Sequence, residues 1–190
     1  MQQAVPAGAG AMAAVLGADD AVIAQACADA AQGDVVAPVN FNSPGQTVIA
    51  GNVAAVDRAL ALLAERGVRK AIKLPVSVPS HCALMKPAAD QLAERMRGIA
   101  WREPTIPVVQ NADAATHQGA AVQEALVRQL YQPVRWTECV QALAASGSTR
   151  FVECGPGKVL AGLVKRIDKS LDARAIGAPV DFDAALAELR

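Results

Sequence analysis

The sequence predicts an α/β protein in which a compact β-α-β-β-α-β unit is followed by a region of alternating strands and helices. Two observations carry this prediction. Hydrophobic residues make up 53% of the 190 residues and aromatic residues only 3%, so the apolar content is mostly Ala, Val and Leu, as is typical of helix-rich α/β proteins. In addition, short apolar runs alternate along the chain with segments whose apolar residues recur at helical spacing.

The first half of the unit is predicted to be a strand, a helix and a hairpin. The apolar run at residues 11–17 ends in a glycine, and Asp19 and Asp20 are candidate caps for the following helix, "AVIAQACADAA". Two β-rich runs come next, residues 35–41 and 46–50, separated by the turn "NSPG". This pattern predicts a hairpin of two antiparallel strands.

The second half of the unit adds a helix and a strand. Asn52 can cap a helix with one apolar face, Gly67 stands where a C-cap glycine belongs, and "KAIKLPVSV" is predicted to be a strand. The resulting order over residues 11–78 is the ferredoxin-like arrangement, in which both helices cover one face of a four-stranded antiparallel sheet. We therefore expect residues 11–78 to form a subdomain with its own core.

The remaining region alternates between helices and strands. Helices are predicted over residues 84–96 and 120–131 and from Pro133 onward, and "PTIPVVQNAD" is predicted to be a strand. The run "TRFVECGPGKVLAGLVKRI" is a strand, a glycine-rich turn and a helix, and the tail repeats a shorter strand and helix. This alternation predicts parallel strands joined by crossover helices. About three strands are too few to bury both faces of a parallel sheet, so the region is expected to be part of a larger sheet.

Charge and cysteine spacing exclude several function classes. The 18 Lys and Arg residues balance the 18 Asp and Glu residues, which leaves no electrostatic footprint for nucleic acid or an anionic membrane. The four cysteines lack C-x-x-C spacing, which argues against a zinc site or a disulfide framework and for a reducing compartment. The chain has no apolar run of about 18 residues and no basic leader region. We therefore expect a cytoplasmic protein with no nucleic acid, membrane or metal partner.

The stretch "SVPSHCALM" at residues 77–85 places a candidate base, His81, between a strand and a helix. Catalytic side chains collect at the strand ends of α/β sheets, and histidine exchanges protons near neutral pH. A structural role for His81 is the alternative. Cys82 is interpreted as a packing residue, because neighbouring side chains at such a junction diverge and a Cys-His pair needs contact at about 3 Å. His117, in the polar loop "DAATHQGA", is predicted to be a solvated surface residue.

Other polar motifs each have a functional and a structural interpretation. Asn40 and Asn42 in "NFNSPGQ" can donate hydrogen bonds to a ligand or hold the turn through side-chain to backbone bonds. Arg135 can bind a carboxylate or pair locally. The run "CGPGKVL" at residues 154–160 lacks the spacing of a phosphate-binding loop and is interpreted as a tight turn. No G-x-S-x-G pentapeptide occurs, so the chain offers His81 no elbow serine.

A family resemblance comes from four motifs taken together: "PVNFNSPGQTVIAG", "LPVSVPSHCALMKPAA", "LVRQLYQPVRWTECV" and "ECGPGKVLAGLVKRI". In this order and at this spacing they closely resemble the bacterial malonyl-CoA:acyl-carrier-protein transacylases of type II fatty acid synthesis. The resemblance extends from Gln2 to about Ile167. It implies a large α/β-hydrolase-like subdomain with an inserted ferredoxin-like subdomain. Residues 1–10 and 79–190 are then expected to belong to the large subdomain, and residues 11–78 to the inserted one.

The resemblance also implies a mechanism and a set of site residues. In the family a serine attacks malonyl-CoA, a histidine acts as base, and the malonyl group passes to the phosphopantetheine thiol of acyl carrier protein, with no cofactor. His81 matches the family's histidine, and Gln129 matches the position whose backbone carbonyl orients that histidine. Asn40 and Asn42 match a polar turn at the mouth of the substrate cleft.

The chain departs from the family in what it lacks. The family's serine, its glutamine-bearing oxyanion loop and the arginine that grips the malonyl carboxylate lie upstream of Met1, so the sequence looks like the C-terminal three-fifths of such an enzyme. We expect this chain alone to be inactive, because removing the nucleophile of a triad-type enzyme costs about 10⁶-fold, and we expect the missing N-terminal part to be a partner. A non-catalytic module that binds carrier protein or coenzyme A, and an acyltransferase of a polyketide pathway, are the alternatives.

Overall fold

The computed structural model describes residues 1, 5–6, 8–76 and 78–189. The chain divides into two compact units, Met1–Cys139 and Val140–Arg190. The subdomain boundaries predicted after residues 10 and 78 are a different division and stay predictions. No helix in the described part of the chain is both long and apolar enough to cross a bilayer.

The first unit contains a four-stranded antiparallel sheet with two helices. The elements follow in the order β1 (Gly10–Leu16), α1 (Asp20–Ala31), β2 (Val36–Ser43), β3 (Gln46–Asn52), α2 (Val53–Glu65) and β4 (Lys70–Lys73). The strands lie side by side in the order β2-β3-β1-β4, and every neighbouring pair is antiparallel. This confirms the predicted β-α-β-β-α-β arrangement, but the strand predicted in "KAIKLPVSV" was too long, because β4 ends at Lys73.

The two faces of this sheet bury different sets of residues, because successive side chains of a strand point to opposite faces. Ala11, Ala13 and Val15 of β1 pack with α1 and α2, in a core that includes the fully buried Ile23 and Leu63. The intervening β1 residue Met12 belongs to a second cluster on the other side. Its members are Met12, Val39, Val48, Ala50 and Cys82. The second face therefore packs against the segment that carries His81.

The predicted helix caps are in place, but their side chains form no capping hydrogen bonds. Asp19 and Asn52 occupy the N-cap positions of α1 and α2, and neither makes a side-chain capping bond. Asn52 Oδ1 instead accepts the backbone N–H of Val35 at 2.8 Å, and Asp20 accepts the hydroxyl of Thr47 at 2.5 Å. The Asn52 carboxamide thus ties the start of α2 to the residue before β2, and the Asp20 carboxylate ties the start of α1 to β3. A local capping rule does not foresee either contact.

The rest of the first unit is mainly helical. A 3₁₀ turn (Ala83–Met85) leads into α3 (Lys86–Met96), and later elements are β5 (Val109–Gln110), β6 (Ala115–Thr116), α4 (Ala120–Arg128) and the start of α5 (Trp136–Ala145). The strand predicted in "PTIPVVQNAD" was too long, and the parallel pairing predicted for this region is wrong here: only Val109–Gln110 form a strand, and it pairs antiparallel with β6. The two prolines of this run cannot donate to a strand ladder, which explains its short length.

The second unit is a small parallel β-α-β unit with a final helix. Its elements are the end of α5, β7 (Arg150–Cys154), α6 (Val159–Ile167), β8 (Asp172–Ile176) and α7 (Pro179–Leu189). β7 and β8 are parallel, and α6 is the crossover between them, as predicted. Leu163 and Val164 of α6 are buried, whereas Val152 of β7 is 40% exposed.

Candidate active site

His81 has an unusual backbone conformation. Its φ angle is 65°, in the left-handed region that residues with a side chain rarely adopt and that typically costs about 1–3 kcal/mol. The backbone N–H of His81 donates to the carbonyl oxygen of Leu130 at 3.1 Å, which helps to hold the strained turn. Such strain is concentrated at functional positions, so this conformation favours a functional over a purely structural His81.

The His81 ring contacts the end of a helix. Its Nδ1 lies 2.7 Å from the carbonyl oxygen of Gln129, the C-cap residue of α4. A carbonyl can only accept, so Nδ1 is the donor, and in the neutral imidazole Nε2 then has the lone pair. The last carbonyls of a helix lack intrahelical partners and carry a partial negative charge, which makes this one a good acceptor for an imidazole N–H.

A close packing contact fixes the chain just before His81. Pro79 is fully buried, and its ring lies against Gly10 at the start of β1. A Cβ built on Gly10 would stand 2.3 Å from the Pro79 Cδ. Glycine at position 10 is therefore what allows the strand to approach the turn that presents His81.

Residues 129–135, here called the bridge segment, connect His81 to β2. At one end, the carbonyls of Gln129 and Leu130 accept from His81. At the other end, Val134 donates to the Val39 carbonyl at 2.8 Å and accepts the Phe41 N–H at 2.9 Å. The bridge segment therefore brings the His81 turn and the middle of β2 into one backbone network.

The predicted substrate residues Asn40 and Asn42 lie in this part of β2. They are two residues apart in the strand and both are half-buried, and Asn40 forms an isolated bridge with Val134. In the part of the chain that the structure describes, no hydrogen bond ties either amide side chain, so the turn-holding interpretation has no support. Their contact with substrate stays a prediction.

The structure confirms that Cys82 is a packing residue. It is 3% exposed, within the cluster on the second face of the sheet, and its Sγ donates to the Pro79 carbonyl at 3.1 Å. Burial raises the pKa of the Cys82 thiol, only partly offset by a backbone hydrogen bond from Leu84. A buried, protonated thiol is a poor nucleophile.

The prediction that His117 is a solvated residue was wrong. Its side chain is 18% exposed, and its Nε2 lies 3.0 Å from Asp113 Oδ2. The same carboxylate binds Arg128, the last residue of α4. Sequence inspection missed this cluster because Asp113 and Arg128 lie 15 residues apart, in a loop and a helix end that share no periodic pattern.

The remaining sequence motifs have local roles. Arg135 forms a bidentate pair with Glu138, with Nε 2.8 Å from Oε1, which agrees with local pairing. In the second unit, Gly155 and Gly157 have φ angles of 134° and 101° in the tight turn between β7 and α6, as predicted. Among the described residues, no group of three or more His, Cys, Asp or Glu side chains is arranged to hold a metal ion.

Comparisons with known proteins give one consistent result. The acyl transferase domain family matches residues 1–180. The chain is 57% identical over 187 residues to the malonyl CoA-acyl carrier protein transacylase of Escherichia coli (strain K12), covering 98% of this chain and 60% of that protein. It is 42% identical over 193 residues to the Bacillus subtilis (strain 168) protein of that name, covering 100% of this chain and 61% of that protein.

Solved structures agree with the sequence comparisons. A crystal structure of malonyl-CoA:acyl carrier protein transacylase from Xanthomonas oryzae pv. oryzae is 67% identical, with a TM-score of 0.96, and the match covers 98% of this chain and 60% of that one. The malonyl-transacylase in a complex with a type II polyketide-synthase acyl-carrier protein is 51% identical, also with a TM-score of 0.96, over 98% of this chain and 61% of the other. The chain thus spans about 60% of the length of these relatives, and it belongs to the acyl transferase domain family.

Proposed function

We propose that this chain is the histidine-bearing part of a malonyl-CoA:acyl-carrier-protein transacylase, and that His81 is its general base. The main support for this proposal is the contact between His81 Nδ1 and the Gln129 carbonyl oxygen at 2.7 Å. A base needs one nitrogen held as a donor and the other available to accept a proton. This contact holds Nδ1 as the donor, which leaves the lone pair of the neutral imidazole on Nε2. Gln129 takes the orienting role that a buried aspartate has in a hydrolase triad.

The proposed reaction is a two-step acyl transfer. His81 Nε2 takes the proton of a serine hydroxyl while the serine oxygen attacks the thioester carbonyl of malonyl-CoA. The carbon–sulfur bond then breaks, and the departing coenzyme A thiolate takes the proton from the imidazolium. In the second step His81 deprotonates the phosphopantetheine thiol of acyl carrier protein, and the thiol sulfur attacks the malonyl ester. The carbon–oxygen bond to the serine then breaks, and the imidazolium returns the proton to the serine oxygen, which restores both residues.

The serine and the binding partners are part of the same proposal. The 190 residues contain no G-x-S-x-G motif, so the nucleophile comes from the family's remaining two-fifths. Asn40 and Asn42 would contribute polar contacts to substrate beside the bridge segment. The complex of a 51% identical malonyl-transacylase with an acyl-carrier protein supports acyl carrier protein as acceptor. The chemistry requires no cofactor, and the cysteine pattern favours the cytoplasm.

The test uses a chimera that joins this chain to the nucleophile-bearing part of the E. coli relative. We expect the chimera to transfer radiolabelled malonyl from malonyl-CoA to acyl carrier protein. His81→Ala should lower the rate by about 10²–10⁴-fold, the usual contribution of a general base. His117→Ala, which removes the chain's other imidazole, is the matched control and should leave transfer within about twofold of the unsubstituted chimera.

Two outcomes would contradict the proposal. Transfer by the His81→Ala chimera at a near-normal rate would exclude His81 as the base. A chimera that folds and binds acyl carrier protein but never loads malonyl would instead favour a binding module. The chain without the E. coli part is the baseline and should show no transfer.

A further inference from the structure

We infer that Asp113 and Arg128 are positioning residues for His81, because their ion pair fixes the helix end that supplies the Gln129 carbonyl. Arg128 immediately precedes Gln129 in the chain and closes α4. Asp113 lies in the turn between β5 and β6, and its carboxylate binds Arg128 Nη2. The inference rests on the proposed role of His81 as base.

Asp113 is the centre of a charged cluster. Its carboxylate accepts from Arg128 and from His117. Partial burial raises the pKa of Asp113, but the His117 hydrogen bond and the nearby Arg128 charge outweigh this and hold the pKa below its ordinary value. Asp113 therefore stays ionised at neutral pH, and the pair with Arg128 is a charge-assisted hydrogen bond rather than a neutral one.

Arg128 depends on Asp113 for its orientation. Its Nε is buried and has no hydrogen-bond partner within the described residues, so Asp113 holds the guanidinium through Nη2. The backbone carbonyl of Arg128 accepts from Tyr131 at 3.1 Å and from Gln132 at 2.9 Å. The side chain of Arg128 thus fixes the same turn whose backbone forms the first part of the bridge segment.

The β5–β6 turn is itself an anchored support. The Ala114 N–H donates to the Gln110 carbonyl at 2.9 Å and closes the turn, and the Asn111 carbonyl accepts the N–H of Arg135 at 2.9 Å. The turn therefore holds Arg128, the residue just before the bridge segment, through Asp113, and Arg135, the last residue of the bridge segment, through Asn111. Between these two points the bridge segment contacts His81.

This arrangement explains how a backbone atom can serve as an orienting group. A side-chain carboxylate can adjust its rotamer to follow an imidazole, whereas a carbonyl moves only with its peptide. The distance from Gln129 to His81 Nδ1 is therefore only as constant as the end of α4. The ion pair of Arg128, one residue before Gln129, is well placed to keep this distance constant.

The test reads the His81 imidazole directly, by NMR of the 190-residue chain labelled with ¹⁵N-histidine. The chain contains two histidines, and His117→Gln assigns their signals. In the unsubstituted chain we expect His81 to be a single Nδ1–H tautomer with a slowly exchanging ring proton. Asp113→Asn and Arg128→Gln each remove the charge-assisted bond between Asp113 and Arg128 that holds the end of α4. Each variant should therefore give a mixture of His81 tautomers, and the His81 Nδ1 proton should exchange at least about tenfold faster.

Two control variants and one conservative substitution distinguish positioning from general stability. Glu94 is an exposed carboxylate on α3 that pairs with Arg97 and lies outside the Asp113 cluster. Glu94→Gln should therefore leave the His81 signals unchanged. His117→Gln keeps the Arg128–Asp113 pair and should also leave them unchanged. Arg128→Lys keeps the positive charge without the planar fork and should give an exchange rate between those of the unsubstituted chain and Arg128→Gln.

The inference is overturned if Asp113→Asn and Arg128→Gln keep dispersed amide spectra and an unchanged His81 tautomer and exchange rate. If both variants unfold, Arg128→Lys decides, since an unchanged His81 signature there overturns the inference as well. The measurement does not use turnover. It can therefore fail while malonyl transfer by the chimera still supports the proposed function, and the reverse is equally possible.

Discussion

The two sheets of this chain differ in how completely they are covered. The antiparallel sheet of the first unit has a buried cluster on each face, with Ile49 and Val39 fully buried on opposite sides. The parallel sheet of the second unit has two strands, and Val152 in β7 is 40% exposed. An antiparallel sheet can complete a core with neighbouring segments, whereas parallel strands are normally found with several partners and both faces covered. The first unit therefore covers both faces of its sheet with its own residues, whereas the second unit leaves part of its sheet exposed.

The largest expected difference concerns one leucine from each unit. Leu63 is fully buried beneath the antiparallel sheet, whereas Leu160 of α6 is 40% exposed. Leu63→Ala should lower the free energy of unfolding by about 2–5 kcal/mol because it leaves a cavity. Leu160→Ala should change it by no more than about 0.5 kcal/mol. Urea denaturation followed by residue-resolved amide signals measures both, and equal effects would remove the contrast between the units.

Thiol reactivity sharpens the same contrast. The first unit holds three buried cysteines, Cys27, Cys82 and Cys139, and the second holds the exposed Cys154. Burial raises the pKa of Cys27 to about 12 and that of Cys139 to about 11, so both remain thiols at pH 8. Iodoacetamide should therefore modify Cys154 at least about 100-fold faster than the other three.

Peptide mass spectrometry at timed intervals gives the rate at each cysteine. Adding denaturant should make all four thiols react at similar rates, which controls for intrinsic differences between them. Modification of Cys82 as fast as that of Cys154 in the folded chain would show that the segment next to His81 is open to solvent, contrary to its buried packing.

Alanine substitutions at two glycines should have the smallest effects on stability, and these effects should have opposite signs. Alanine at position 10 would collide with the Pro79 ring, so Gly10→Ala should destabilise the chain by about 1–3 kcal/mol. Gly162 lies inside α6, and an added Cβ would stand in open space, so Gly162→Ala should stabilise the chain by about 0.5–1 kcal/mol through helix propensity. Thermal unfolding measures both, and a neutral Gly10→Ala would contradict the close contact beneath the His81 turn.

Local patterns were enough to predict the first sheet. Each of its strands and helices is a short run with its own periodicity, and the "NSPG" turn forces β2 and β3 to be neighbours. The strand predicted in "PTIPVVQNAD" failed because apolar content does not reveal which backbone groups can pair, and the prolines remove two donors. Asn52 is the N-cap of α2 as predicted, but its side chain accepts from Val35, 17 residues away, and makes no capping bond to its own helix.

The candidate site was predictable in part. His81 stood out because it lies between a strand and a helix, and the resemblance pointed to the Gln129 carbonyl, which is 2.7 Å from its ring. The left-handed φ of His81 and the cluster of Asp113, His117 and Arg128 could not be predicted. They arise from contacts between separate segments, and no residue spacing encodes them.

The tautomers of the two histidines test the central claim most directly. His81 Nδ1 faces a carbonyl and His117 Nε2 faces a carboxylate, so each nitrogen must carry the proton. Long-range ¹H–¹⁵N spectra of the neutral imidazoles should therefore show Nδ1–H for His81 and Nε2–H for His117 in the same sample. An Nε2–H tautomer at His81 would contradict the account, because the nitrogen proposed to accept the serine proton would already hold one.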